Sequence, residues 1–344
     1  MISAPRVSVL IPVSGQQSYL RSSIESILNQ SFEDFEIIIV SEPNAGLETA
    51  AVIKSHLDHR IRHVRNIRHI GLARSLNIGL QTARGEYIAR MDSDDICLAE
   101  RLERQVRFLD ERKDVGVVGT GFKLINEEGR VISSHSEPSE PALTKWRLLF
   151  GDMIAHPSVM VRASIFRKLG GYDSRALHVE DYDLWMRAAR ITGIVNLPDL
   201  LLGLRKHGHS ISHKYSQVQL HNSLRISKRA IEEVLRNEIS AGTFCALVLH
   251  SAARPRDAWD AAKVLYSLCM EYIRRGALSR EEEKDVRTDA AKRMQIPLLQ
   301  AIRNQPFFSL KICQLIAQIR ARMLPRIMIS SLERATAYAW RHLL

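Results

Sequence analysis

Hydrophobic residues alternate between strand-like and helix-like spacing through the first third of the chain. Val7-Ser8-Val9-Leu10-Ile11 is a short β-branched run ended by Pro12, as expected of a strand buried on both faces. Leu20, Ile24, Ile27 and Leu28 then fall on one helical face, with Asn29 near the end. Phe35 to Val40 reads as a second buried strand, and Ile61 to Val64 as a shorter third, rich in Arg and His. Leu72, Leu76, Leu80 and Ala83 suit a helix running to Gly85, and Tyr87 to Met91 follows as a strand. Asp92-Ser93-Asp94-Asp95 lies directly at the carboxyl end of that strand. A helix from about Ala99 to Leu109 leads to one more strand, Val115 to Gly119. This rhythm predicts an α/β fold, a mostly parallel sheet with helices on both faces. Such sheets bind ligands beyond the carboxyl ends of their strands, where the Asp cluster falls.

From about Tyr215 the strand signals stop. Asp257 to Arg275 reads as a helix with Asp257 as N-cap and Gly276 as stop, and Ser279-Arg280-Glu281-Glu282 as a capping box opening another. Phe308, Ile312, Leu315, Ile316, Ile319 and Met323 mark one face of a further helix ended by Pro325. The expected organisation is an α/β domain over residues 1–214 and a helical region over 215–344. Charge sharpens the division. Residues 1–214 carry 28 Lys+Arg against 26 Asp+Glu, whereas 215–344 carry 21 against 12. Seven basic residues and one acid, Glu333, lie in 301–344 alone. A basic amphipathic helix of that kind suits an anionic membrane surface. Packing of its apolar face on the α/β domain, or on a second subunit, is the competing expectation.

Composition excludes several classes. A chain of 344 residues with 45% hydrophobic and 25% charged residues supports a packed core. Four scattered cysteines give neither a disulfide framework nor a zinc cluster, which fits a reducing, cytoplasmic setting. No apolar stretch approaches the roughly 18 residues of a membrane span, and no basic leader or cleavage site precedes Val7 to Val13. Secretion and membrane insertion are therefore not expected.

Asp92, Asp94 and Asp95 repel one another unless a cation or an array of donors meets them. Oxygen-rich clusters of this kind suit Mg²⁺ or Mn²⁺ together with substrate phosphates. The plainer alternative is a solvated turn capping the next helix. Wider context bears on the choice. Gly71-Leu72-Ala73-Arg74-Ser75-Leu76-Asn77-Ile78-Gly79, then Arg84-Gly85-Glu86-Tyr87 through Asp95, resembles the family-2 glycosyltransferases of the GT-A type. So do Val7 to Val13 with Ser26 to Ser31, and downstream His156-Pro157-Ser158, Gly170-Gly171-Tyr172-Asp173 and Glu180-Asp181-Tyr182-Asp183-Leu184-Trp185. The likeness covers about residues 5 to 212, with the motifs in family order.

The resemblance implies a GT-A fold and an inverting, metal-dependent transfer of a sugar from a nucleotide diphosphate to an acceptor hydroxyl. Asp92 and Asp94 match the family's D-x-D, which contacts the nucleotide ribose and the metal, with Ser93 between them. Pro12, Val13 and Ser14 fall where the first strand meets the base, and Asn77 falls in a helix lining the same cleft. Where the family has an acidic pair and Gly-Ser after its second strand, this chain has Ser41-Glu42-Pro43-Asn44, so Glu42 is the candidate acceptor of a hydrogen bond from base or ribose. A uridine diphosphate sugar is the expected donor. Asp181 matches the catalytic base. Glu180 and Asp183 are its neighbours, and acids in a first helical turn are favoured by the helix dipole regardless of catalysis. Arg205-Lys206-His207-Gly208-His209-Ser210 resembles the stretch that closes the catalytic region, with His207 a candidate metal ligand and Arg205 a contact to the leaving group. His156 is open to an acceptor-side or a structural role. Trp146 and Trp185 are assigned to the core.

The implied acceptor is a saccharide or lipid-linked saccharide in cell-surface polysaccharide or lipopolysaccharide assembly. The enzyme would be cytoplasmic, or peripheral on the inner face of the membrane through its C-terminal helices. Two other classes compete with this reading. A nucleotidyltransferase making nucleotide-sugars calls for a Gly- and Lys/Arg-rich phosphate loop, and Pro12-Val13-Ser14-Gly15-Gln16-Gln17 has no lysine. A nucleic-acid-binding protein calls for basic stretches with interleaved aromatics, which the near-neutral first 214 residues lack, so no nucleic-acid partner is expected.

Overall fold

Four strands start the sheet: β1 (Val7–Val13), β2 (Phe35–Ser41), β3 (Ile61–Arg65) and β4 (Tyr87–Arg90), all parallel, in the spatial order β3-β2-β1-β4, with β3 part-exposed at the edge. The computed structural model describes residues 4–15, 18–208, 215–251 and 254–304. The chain steps outward from β1 to β3, then crosses back to place β4 on the other side of β1. That reversal opens a crevice at the carboxyl ends of β1 and β4. Helices α1 (Leu20–Leu28), α2 (Gly46–Ser55) and α3 (Leu72–Thr82) make the return connections. The aliphatic runs read from the sequence are the strand interiors, since every residue of β1 and β2 is buried.

Beyond β4 the sheet is mixed. The later elements are β5 (Ile96–Cys97), α4 (Arg101–Glu111), β6 (Val115–Ile125), β7 (Val131–His135), α5 (Pro141–Arg147), β8 (Met160–Arg162), α6 (Ala163–Leu169), α7 (Glu180–Ala188) and β9 (Gly193–Arg205). β8 lies antiparallel between β4 and β6, while β9 runs parallel to β6 and antiparallel to β5. The parallel expectation therefore holds for β1–β4 and gives way at β8, a three-residue strand too short to show an alternation. Arg101 ties the junction. Its fully buried guanidinium donates to the carbonyl of Arg90 at 2.7 Å and of Val159 at 3.2 Å, joining the end of β4 to the entry of β8. Gln105, one turn later, donates to the carbonyls of Val118 and Ser158. Trp146 and Trp185 are wholly buried, as expected of core residues.

The chain divides into two compact units, Met1–Leu148 with Asp152–Leu224, and Leu149–Gly151 with the chain from Arg225 onward. The helix Ser216–Leu235 crosses the boundary in sequence, and Ala241–Val248, Pro255–Gly276 and Arg280–Asn304 follow. Ser279 and Glu282 form the reciprocal capping box that their spacing predicted, Glu282 accepting from the Ser279 N–H at 2.8 Å and the Ser279 hydroxyl from the Glu282 N–H at 3.3 Å. Asp257 is not the N-cap. The helix starts at Pro255, whose missing N–H suits a first position, and Asp257 sits in the first turn paired with Arg254 at 2.9 Å. The helix predicted over 308–323 lies outside the described residues. Among the described residues, no helix is long and apolar enough to cross a membrane.

Candidate active site

The loop leaving β4 carries Asp92, Asp94 and Asp95, with a potential ligand oxygen from each lying within 4.8 Å of the others. Different partners hold each one. Arg90, on the same side of the chain two residues earlier, grips Asp92 with both terminal nitrogens at 2.6 and 2.7 Å. Asp94 Oδ2 lies 2.7 Å from His207 Nε2. Asp95 is 2% exposed; its Oδ1 accepts from the Arg205 backbone N–H at 2.9 Å, while its Oδ2 is buried with no partner among the described residues. Burial, with repulsion from Asp92 and Asp94, pushes the Asp95 carboxyl well above the usual range. Burial raises Asp92 too, against the pull of Arg90. An all-oxygen set of three crowded carboxylates, one of them with an unpaired buried oxygen, fits a hard divalent cation.

Arg205 builds this cluster from the far end of β9. Its Nε donates to the Asp94 carbonyl at 2.8 Å, and Nη1 donates to the carbonyls of Asn126 and Glu127. The guanidinium also sits 4.3 Å above the Tyr19 ring. Three of its donors are thus committed to backbone, so its visible work is to fasten the acidic loop. His207 lies next to the cluster, as the sequence pattern implied. Ser93 is buried inside the same loop.

A second acidic group comes from the opening turn of α7. Asp181 Oδ1 accepts from the backbone N–H of Tyr182 at 2.8 Å, and Oδ2 lies 3.9 Å from His156 Nδ1. Burial raises the Asp181 carboxyl, with Arg90 opposing the rise and Asp92 adding to it. Arg90 and Asp92 therefore act electrostatically on both acidic groups. Burial and the neighbouring Asp181 push Glu180 up to about 7. Asp183 instead pairs with Arg187, whose guanidinium also donates to the carbonyls of Leu169 and Gly171.

On the nucleotide side, Pro12 and Val13 are buried at the end of β1 and Ser14 is the first exposed residue beyond it. Glu42, expected to face a base, is 3% exposed and already engaged. Its Oε1 accepts from Ser75 Oγ at 2.6 Å, the Gly71 N–H at 3.1 Å and Asn66 Nδ2 at 3.3 Å. Its Oε2 accepts from the Ile70 N–H at 3.0 Å and lies 3.0 Å from His69 Nδ1. Asn77 is likewise occupied: its amide clamps the backbone of Tyr172, donating to the carbonyl and accepting from the N–H, both at 2.9 Å. Gly171 permits this approach, since a Cβ there would sit 2.4 Å from Asn77 Oδ1 and its φ is +80°. Sequence reasoning passed over Arg90 and the His156–Tyr172 pair. The i, i+2 spacing of Arg90 and Asp92 at a strand end is the one local signal that pointed there.

The family model described as Glycosyl transferase family 2 matches residues 8–170. Putative glycosyltransferase EpsE of Bacillus subtilis (strain 168) is 38% identical over 195 residues, covering 54% of this chain and 68% of its own. O-antigen biosynthesis glycosyltransferase WbnJ of Escherichia coli is 35% identical over 209 residues, 59% of this chain and 81% of its own. In fold, the chain is similar to S. aureus TarS 1-349 in complex with UDP-GlcNAc, with a TM-score of 0.55 at 18% identity over 92% of this chain and 87% of that one. It is also similar to the mannosyltransferase PcManGT from Pyrobaculum calidifontis in complex with GDP-Man and Mn²⁺, with a TM-score of 0.51 at 17% identity over 87% and 86%. Relatives at 35% identity and above, matched over more than two thirds of their length, place the chain by descent: it is an enzyme of glycosyl transferase family 2.

Proposed function

We propose that the enzyme moves a sugar, with inversion, from a nucleoside diphosphate to a hydroxyl of a saccharide or lipid-linked saccharide during cell-surface polysaccharide assembly. One observation carries this reading: an all-carboxylate cluster and a separate raised carboxyl, Asp181, under the common influence of one buried arginine, Arg90. Family membership sets aside the nucleotidyltransferase alternative, and the WbnJ relative bears O-antigen biosynthesis in its name. Asp92, Asp94 and Asp95 would hold a Mn²⁺ or Mg²⁺ ion, with His207 beside Asp94. When bound, the ion supplies positive charge against the departing diphosphate. PcManGT, of the same fold, is described with Mn²⁺ and TarS with UDP-GlcNAc, which supports a uridine diphosphate sugar as the first donor to try.

The residues themselves account for the rest. Asp181 accepts the proton of the acceptor hydroxyl as that oxygen bonds to the anomeric carbon and the carbon–phosphate oxygen bond breaks. A positioned base of this kind contributes typically 10²–10⁴-fold. Its raised pKa makes it the stronger base, and the Tyr182 N–H keeps one oxygen fixed while the other, on the His156 side, takes the proton. Glu42 and Asn77, already hydrogen-bonded within the protein, shape the donor cleft rather than read the base. A cytoplasmic, membrane-peripheral setting belongs to the same reading, the basic excess of residues 301–344 matching an anionic surface.

The test is a donor panel of uridine, guanosine and thymidine diphosphate sugars with Mn²⁺ or Mg²⁺. Wild type should turn over one class of donor, and Asp94→Ala and Asp181→Asn should each lose at least about a hundredfold. Full activity surviving in either variant would remove the role assigned to that residue. Flotation with anionic vesicles at low salt checks the membrane setting, which fails if the full-length chain stays unbound.

A further inference from the structure

Resting on Asp181 as the base, we propose that His156 is a positioning residue for it, presenting a proton on Nδ1 to Asp181 Oδ2 while Tyr172 holds the opposite ring nitrogen. His156 is 6% exposed, in a turn at His156–Ser158 that is fixed from several sides. Ser158 Oγ accepts from the Thr120 N–H, and Gln105 donates to the Ser158 carbonyl. The imidazole Nε2 lies 2.9 Å from the Tyr172 hydroxyl, and the ring edge packs on Trp185, with centroids 5.9 Å apart. Tyr172 is itself immobilised by the Asn77 clamp on its backbone. The two ends of the pair are therefore set by separate parts of the fold.

The proton positions follow from electrostatics. Burial, with Arg90 nearby, keeps the His156 imidazole well below its usual pKa, so it is neutral and carries one N–H. Burial raises Tyr172, so its hydroxyl keeps its proton and can donate to Nε2. With Nε2 accepting, the ring proton is on Nδ1 and faces the carboxylate at 3.9 Å. The opposite tautomer would aim a lone pair at that anion. Contacts of this length are common between catalytic groups before substrate binds and often tighten in the substrate complex.

Other groups bear on Asp181 as well: Asp92 repels its negative charge, Arg90 and the Tyr182 N–H stabilise it, and Asp181 in turn raises its acidic neighbours Asp152 and Glu180. Tyr172 also faces it electrostatically. Against burial and the Asp92 charge, an N–H from His156 keeps the carboxylate ionised and directed. In the transfer step the acceptor proton passes to Asp181 and the bonding electrons leave with the diphosphate. His156 keeps its own proton throughout.

The full-length enzyme labelled with ¹⁵N-histidine, with the His156 signals assigned by their loss in His156→Asn, reports the tautomer directly. Nδ1 should be protonated and Nε2 bare from pH 6 to 8, and Tyr172→Phe should raise the other tautomer. An imidazolium or an Nε2–H form at pH 7 in wild type would overturn the proposal, whether or not the preparation turns over a donor. Kinetics supply the second arm. His156→Leu should lower kcat about 10–100-fold with donor KM unchanged, and move the acid limb of kcat/KM to higher pH by about one unit. His156→Asn, which keeps a donor near the Nδ1 position, should recover most of kcat, a rescue that mere packing does not predict. Equal losses in the Leu and Asn variants, both folded, would overturn it. Activity surviving Asp181→Asn would instead strike at the base assignment itself, while the nitrogen spectrum still reads the imidazole.

Discussion

Replacing Glu42 with Gln asks whether this carboxylate reads the donor or holds the protein together. The side chain is buried and its two oxygens meet five protein donors. In the variant, the amide oxygen can keep the Ser75, Gly71 and Asn66 bonds, but the amide nitrogen would face the Ile70 N–H, donor to donor. One charge-assisted bond is lost outright and three lose their charge. His69 is two-thirds exposed at its side chain, so its ion pair is discounted. The loss is about 2–4 kcal/mol, since hydrogen bonds to charged groups contribute about 1.5–3 kcal/mol each. For a unit of this size that is a fall in Tm of roughly 4–16 °C. Thermal unfolding and nucleotide binding by calorimetry, run on the same preparation, separate the two ideas. We expect a lower Tm, with nucleotide affinity within about threefold of wild type once measured well below the transition. An unchanged Tm with nucleotide binding abolished would refute the reasoning and restore Glu42 as a base contact.

Asn77→Ala should lower stability by about 2–3 kcal/mol, because it orphans both the N–H and the carbonyl of Tyr172; chemical denaturation measures this, and an unchanged midpoint would show the clamp to be idle. Gly171→Ala should destabilise by at least about 1 kcal/mol through its left-handed φ and the Asn77 clash, and a variant as stable as wild type would mean that the loop can shift freely. Glu180 gives a pH signature. Its folded pKa of about 7 stands above the ordinary 4.5, so its share of stability is intact below about pH 4.5 and is lost as pH rises through 7. That loss is about 3 kcal/mol. Urea unfolding across pH 4.5–8 should show Glu180→Gln gaining on wild type as pH rises, and parallel curves would refute the shift.

The strands β1 and β2 were legible because burial on both faces leaves short, near-continuous β-branched runs, and β4 because its four residues follow a helix stop at Gly85. The acidic loop was legible for the opposite reason, since three carboxylates at a strand end violate the usual burial pattern. β8 was not, because three residues carry no period. The partner assignments were also hidden. Glu42 and Asn77 sit where the family pattern puts ligand contacts, yet both hydrogen bonds of Asn77 go to the backbone of Tyr172, and two of those to Glu42 come from the Ile70 and Gly71 N–H groups, which any sequence would supply. Backbone partners leave no residue-type signature. Arg205 shows the same limit: its identity was read, but its engagement with the carbonyls of Asp94, Asn126 and Glu127 depends on where β9 ends.

The reversed strand β8 has an effect on the enzyme's adaptability. In an all-parallel sheet, the segment entering a strand lies on the opposite rim from the loop leaving its neighbour. Because β8 runs against β4, the segment that enters it, His156 to Val159, meets the exit of β4 directly, with the Arg90 N–H donating to Val159 at 3.0 Å. An incoming stretch and an outgoing one, separated by some sixty positions of chain, thereby share one rim. Substitutions in the former can alter one side of that rim while the latter, with its three crowded carboxylates, stays untouched. A fold arranged in this way lets one flank of a shared border vary independently of the other.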